Sequence, residues 1–150
     1  MVHSRLAGLT GGALLLACSA SAAHGQAPPS AVEKSSYTGL LAAAARGDAA
    51  EIKALIARGE KPDVQDSQGR TPLHVATHGR HHEAMRALVA AGAAPNALEN
   101  DRYDIVTIAA VANSLPTLKL ALALGASPKN VTSRYEGTAL IAAAHLGDRV

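Results

Sequence analysis

Gly69-Arg70-Thr71-Pro72-Leu73-His74-Val75-Ala76 is the stretch from which the rest of the chain can be read. Its order is that of a turn feeding a helix. Gly69 suits a tight turn with φ > 0. Thr71 can offer its hydroxyl to an orphan N–H of the first helical turn, as an N-cap does. Pro72 then takes the first helical position, where a missing N–H costs nothing and the fixed φ matches the helix. Many helices begin this way; here the start recurs. Thr38 lies 33 residues before Thr71, Asp104 lies 33 after it, and Thr138 a further 34 on. Gly59, Gly92 and Gly125 keep the 33-residue period, and so do Pro62, Pro95 and Pro128.

A 33-residue period around a Thr-Pro-Leu-His core resembles the ankyrin repeat, whose unit is a turn or hairpin, two antiparallel helices and a loop. The resemblance covers residues 37–150. It implies an all-α solenoid of helix-turn-helix units joined by short hairpins or turns, in which each unit packs on its neighbours alone. The units fall at about 37–65, 66–98, 99–131 and 132–150, the last incomplete.

Composition agrees with thin, closely stacked layers. The 150 residues contain no Phe, no Trp and three Tyr, so Leu, Ile, Val and Ala must form the core. The net charge of +2 comes from interspersed signs and gives no basis for a nucleic-acid patch. The single cysteine, Cys18, rules out an intramolecular disulfide.

Residues 1–25 read as a secretory signal. His3 and Arg5 give a basic start, residues 6–17 an apolar run, and residues 19–25 a small-residue region with cleavage after Ala22 or Gly25. A run of this length interrupted by Gly8, Gly11 and Gly12 is too short to span a bilayer. Leu15-Leu16-Ala17-Cys18 also looks like a lipobox, so the alternative to a soluble periplasmic protein is a lipoprotein anchored through Cys18. Residues 26–36 read as a flexible Pro/Ser-rich linker.

Within the units, Ile52, Leu55 and Ile56 form the apolar stripe of the first outer helix, Met85, Leu88 and Val89 that of the second, and Leu118 and Leu122 that of the third. In the second loop Arg80-His81 stands where the family usually has Gly-His, and Gly79 is expected to take over the turn. The third unit has lost Thr-Pro-Leu-His; Asp104 keeps a capping oxygen and Thr107 a hydroxyl. Arg102 and Asn113 replace its turn and loop glycines. The fourth unit reaches its inner helix, residues 139–146, and stops at Val150, which reads as a piece of a longer array.

The chemistry-bearing residues are few. No nucleophile motif, P-loop or dinucleotide fingerprint occurs outside the export signal, and no cofactor is implied. His74, His78, His81 and His82 are spaced as metal ligands could be. The resemblance, however, implies structural roles for His74 and His81, which leaves two free imidazoles. Asn130-Val131-Thr132 matches a glycosylation pattern, a chance match in a bacterial exported protein. Recognition is therefore assigned to positions the repeat does not need, at turn tips and on the outward side of the inner helices. These are Arg46, Ser67, Gln68, Arg70, His78, His82, Asn100, Asp101, Tyr103, Arg134, Tyr135 and His145. Arg70, Tyr103, Arg134 and Tyr135 are the expected anchors, since Arg and Tyr are enriched at binding hot spots. The expected function is a non-enzymatic protein-binding module of the periplasm or cell envelope, with no nucleic-acid partner. The alternatives are a periplasmic metal-binding protein using residues 74–82, or the repeat portion of a larger enzyme.

Overall fold

A computed structural model describes residues 27–132 and Thr138. Among them are seven helices and no strand: α1 (Ala31–Ser36), α2 (Gly39–Arg46), α3 (Ala49–Ala57), α4 (Pro72–His78), α5 (His82–Ala90), α6 (Ile105–Val111) and α7 (Leu115–Ala123). Consecutive helices pair as α2/α3, α4/α5 and α6/α7, and the inner members α2, α4 and α6 stack into one layer. This is the all-α repeat solenoid that the 33-residue period implies.

The period is physically a period of helix ends. After each outer helix, Gly59, Gly92 and Gly125 adopt φ of 93°, 94° and 91°. The next N–H of each reaches back: Glu60 to the Leu55 carbonyl at 3.1 Å, Ala93 to Leu88 at 3.0 Å, Ala126 to Ala121 at 3.1 Å. These are Schellman closures, in which a left-handed residue lets the chain satisfy carbonyls that the helix leaves open. The inner helices end the same way at Gly47, Arg80 and Asn113, with φ of 73°, 56° and 47°.

Arg80 corrects the sequence reading. Gly79 stays right-handed at φ −77°, and Arg80 itself takes the left-handed turn. Gly79 is needed for space: a Cβ there would lie 2.3 Å from Cδ2 of His81. The His81 ring also packs against Gly47 and its Nε2 lies 3.2 Å from the Ala45 carbonyl, so it joins the first two units.

Leu40, Ala43, Ala44, Ile52, Leu73, Val75, Ala76, Met85, Leu88, Ile105 and Val106 form a continuous aliphatic core. In α7 the buried positions are Thr117, Leu120 and Ala121, with Leu118 partly covered, whereas Leu122 is 42% exposed. Leu122 follows Ile56 and Val89 in the period, and those two are partly covered on the core. No described residue of a following outer helix covers Leu122.

The stretch expected to be a flexible linker is also different in part. Residues 31–36 form α1, begun by a capping box in which Ser30 and Glu33 satisfy each other's backbone N–H. The proposed leader at 1–25, with Cys18, and the inner helix at 139–146 lie outside the described residues. None of the described helices is long and apolar enough to cross a membrane.

Candidate protein-binding surface at the turn tips

Two turn tips project from the inner layer, one at residues 66–70 and one at 99–103. Each is organised by an acidic side chain at its first position. Asp66 Oδ1 accepts the N–H groups of Gln68 and Arg70, at 2.8 and 2.9 Å. Glu99 does the same for Asp101 and Tyr103, both at 3.1 Å. Asn100 then ties the tips together: its N–H donates to the Gln68 carbonyl at 3.0 Å and its side-chain amide to the Ser67 carbonyl at 3.3 Å. The loops are thus held before any ligand arrives, which lowers the ordering cost of binding.

The helix starts behind the tips use two solutions to one problem. In the second unit His74 Nδ1 accepts the Thr71 N–H at 3.1 Å, while Nε2 faces the Ala97 carbonyl at 3.0 Å as a donor. Thr71 is the N-cap residue of α4, as the sequence suggested, and its hydroxyl also lies 2.9 Å from the same Nδ1. Burial lowers the pKa of His74, which keeps the ring neutral in this role. In the third unit Asp104 Oδ1 caps the Thr107 N–H at 2.8 Å, and the Thr107 hydroxyl meets that of Thr132 at 2.7 Å. Asn130 completes the set by donating to Asp104 Oδ2 at 2.9 Å. The amide of the glycosylation pattern is therefore already engaged, and its Thr132 is 1% exposed.

The structure divides the expected recognition residues. Ser67, Gln68 and Asn100 are exposed on the tips, and Asp101 is half-buried between them. Arg46 is exposed and ion-paired with Glu51. His82 is turned to the Thr117 hydroxyl, 2.9 Å away on α7, and so links outer helices. Arg70 and Tyr103, expected as anchors, are buried at 4% and 7% exposure. For Arg70 the cause is charge: Nε donates to Asp66 Oδ2 at 2.8 Å and Nη2 pairs with Glu33. Arg134, Tyr135 and His145 lie outside the described residues.

A hollow of about 220 Å³ sits among Gln68, Arg70, His78, Asp101, Glu33 and Glu99, with Ala27 and Pro28 at its edge. Four of the expected residues meet there. Burial drives the pKa of His78 down to about 4, helped by the positive charges of Arg70 and Lys34. Burial raises that of Glu99. Burial also opposes ionisation of Asp66, but hydrogen bonds from Tyr37 and Arg70 win and its pKa is lowered. Tyr37 gives that bond through its hydroxyl at 2.6 Å.

Sequence reasoning missed Arg102, Glu33 and Glu99. Arg102 is exposed at φ 65°, one period after Gly69, so its place as a charged tip residue was available from the spacing. Glu99 stands one period after Asp66 and could have been found the same way.

Three of the four histidines spaced as metal ligands have protein partners. Both His74 nitrogens are committed, and His81 and His82 each turn Nε2 to a different protein oxygen. Among the described residues no three His, Cys, Asp or Glu side chains are grouped as a metal ion would need.

Comparison with known proteins agrees with the repeat geometry. A family model described as ankyrin repeats (3 copies) matches residues 13–99 and 40–133. Oxysterol-binding protein-related protein 1 is 42% identical over 59 residues in both Rattus norvegicus and Mus musculus, covering 38% of this chain. The Homo sapiens protein of that name is 44% identical over 59 residues. The chain spans 6% of the length of these curated relatives, so the likeness concerns one segment of much larger proteins. Ankyrin repeats generally mediate protein–protein interaction. With the helix pairs, their left-handed closures and the family match in agreement, the chain belongs to the ankyrin-repeat family.

Proposed function

We propose that this chain is a non-enzymatic protein-binding module of the periplasm or cell envelope, taking its partner on the turn-tip and inner-helix surface. The observation that carries the reading is the pair of tips, each pinned by its own carboxylate and joined through Asn100. They present Ser67, Gln68, Asn100 and Arg102 as exposed groups on a fixed backbone. Polar side chains held in this way can form hydrogen bonds to a partner with little loss of freedom. Export is supported by the basic, apolar and small-residue order of residues 1–25. The alternative anchorage is a lipid at Cys18.

The test is capture of a partner from an envelope extract, followed by substitutions on two faces. Alanine at Gln68, Asn100 and Arg102 should weaken capture. An anchor among them is worth about 2 kcal/mol, roughly thirtyfold in affinity. Alanine at Glu51, Lys53, Arg86 and Lys119, on the outer helices, should leave capture intact. The opposite pattern places the binding face on the outer layer. N-terminal sequencing and mass of the mature chain decide between cleavage near Gly25 and a lipidated Cys18.

A further inference from the structure

We propose that residues 27–36 form a strap which opens separately from the repeats and, when closed, covers the hollow that holds Arg70 and His78. Helix α1 buries none of its residues, and Val32 is 78% exposed. Within residues 27–36 only Pro29 is buried. Six residues are too few for a helix to persist by itself, so α1 depends on its capping box and on what holds it to the repeats. That hold is Glu33, which serves the capping box through Oε2 and Arg70 through Oε1. The Ser30 backbone N–H chiefly lowers the pKa of Glu33, with Arg70 assisting, so the carboxylate is ionised at neutral pH. Just beyond α1, the Tyr37–Asp66 hydrogen bond marks where the chain joins the first unit firmly.

A segment with so little apolar burial belongs to the low end of local stabilities and can detach while the stack stays folded. Detachment removes Ala27, Pro28 and Glu33 from the rim of the hollow and uncovers Arg70 and His78 from that side. A partner reaching for Gln68 or the hollow must then compete with the strap. This regulatory meaning rests on the tips being the binding face; the opening itself does not.

The experiment uses the full chain and its Glu33→Gln variant. Glutamine at this position preserves the capping box, so the substitution removes the charge facing Arg70 and keeps the helix start. Two readouts near neutral pH are compared: trypsin cleavage after Lys34, and diethyl pyrocarbonate acylation of His78 resolved from His74 by fragment mass. The reagent attacks neutral imidazole, and with a pKa of about 4 the His78 ring is neutral, so its rate reports access. Both rates should rise about tenfold in the variant, the change expected on losing one partly exposed charge-assisted hydrogen bond. Cleavage after Lys53 in α3 should stay unchanged, and Tm should move by less than about 2 °C. Three results would overturn the proposal. These are a wild type as reactive as the variant at Lys34, cleavage there that rises and falls with cleavage at Lys53, and a His78 that stays protected once Lys34 is freed. None of these measurements needs a binding partner, so the strap and the binding face can fail independently.

Discussion

Replacing His74 with alanine tests the internal staple behind the tips. The ring is 1% exposed and spans two backbone groups far apart in sequence, the Thr71 N–H and the Ala97 carbonyl. Alanine leaves both without their partner. A buried group left in this way costs about 1–3 kcal/mol, and Ala97, being half-buried, belongs near the lower end. The void left by the ring adds about 1–2 kcal/mol where neighbours relax only in part. The sum is about 3–6 kcal/mol, a large share of the roughly 5–15 kcal/mol that holds a small domain together. Equilibrium urea unfolding followed by helical circular dichroism measures it, at about pH 7.5 so that the ring is neutral in both states. Amide exchange should also quicken in residues 97–101, because the staple anchors the loop leading into the second tip. A loss below about 1 kcal/mol would refute the reasoning, since the two bonds would then be contributing almost nothing.

Further outcomes follow from the same contacts. Acid should destabilise the fold through His78: with a folded pKa of about 4 against an ordinary 6.5, the unfolded chain binds more protons between those values. Stability is then full above about pH 6.5 and falls toward pH 4, by at most about 3 kcal/mol, and His78→Gln should flatten the profile in pH-dependent melts. Arg80→Val should cost about 2 kcal/mol, because a β-branched residue is placed at positive φ, whereas Arg80→Gly should be neutral or slightly stabilising in thermal melts. Thr107→Val keeps the volume and removes the hydroxyl that meets Asp104 and Thr132, so urea unfolding should register a loss of about 1–3 kcal/mol.

The fold was legible because its determinants are local and repeated. Gly59, Gly92 and Gly125 each occupy a position where L-residues are strained, and their spacing betrays the unit without any knowledge of packing. The site was legible only in outline. Gln68, Arg70, His78 and Asp101 do meet around one hollow, but residue type and tip position could not show that Arg70 turns inward. That depends on Glu33, which comes from a stretch whose Pro and Ser content suggested a tether. Its capping box, Ser30 with Glu33 three residues later, was present in the sequence and went unread beside the prolines. Arg80 escaped for another reason: a glycine next door offered an easier turn, and the bulk of His81 had already claimed the space beside it.

The underside loops carry a directional code. Asp63 accepts the Ala94 N–H at 3.1 Å, and Asn96, one period later, accepts the Ser127 N–H at 2.8 Å. The first two units therefore each supply one side-chain oxygen to a main-chain amide in the unit that follows. The receiving group is a peptide bond, which any residue except proline provides. A tandem copy of residues 66–98 inserted after residue 98 would bring its own acceptor and receive one from its predecessor. Asn96 of the original would face the amide of residue 94 in the copy, and the last Asn96 would still face Ser127. This one hydrogen bond is thus carried across the junction when whole units are added in one orientation, while an insertion of any other length would separate acceptor from amide.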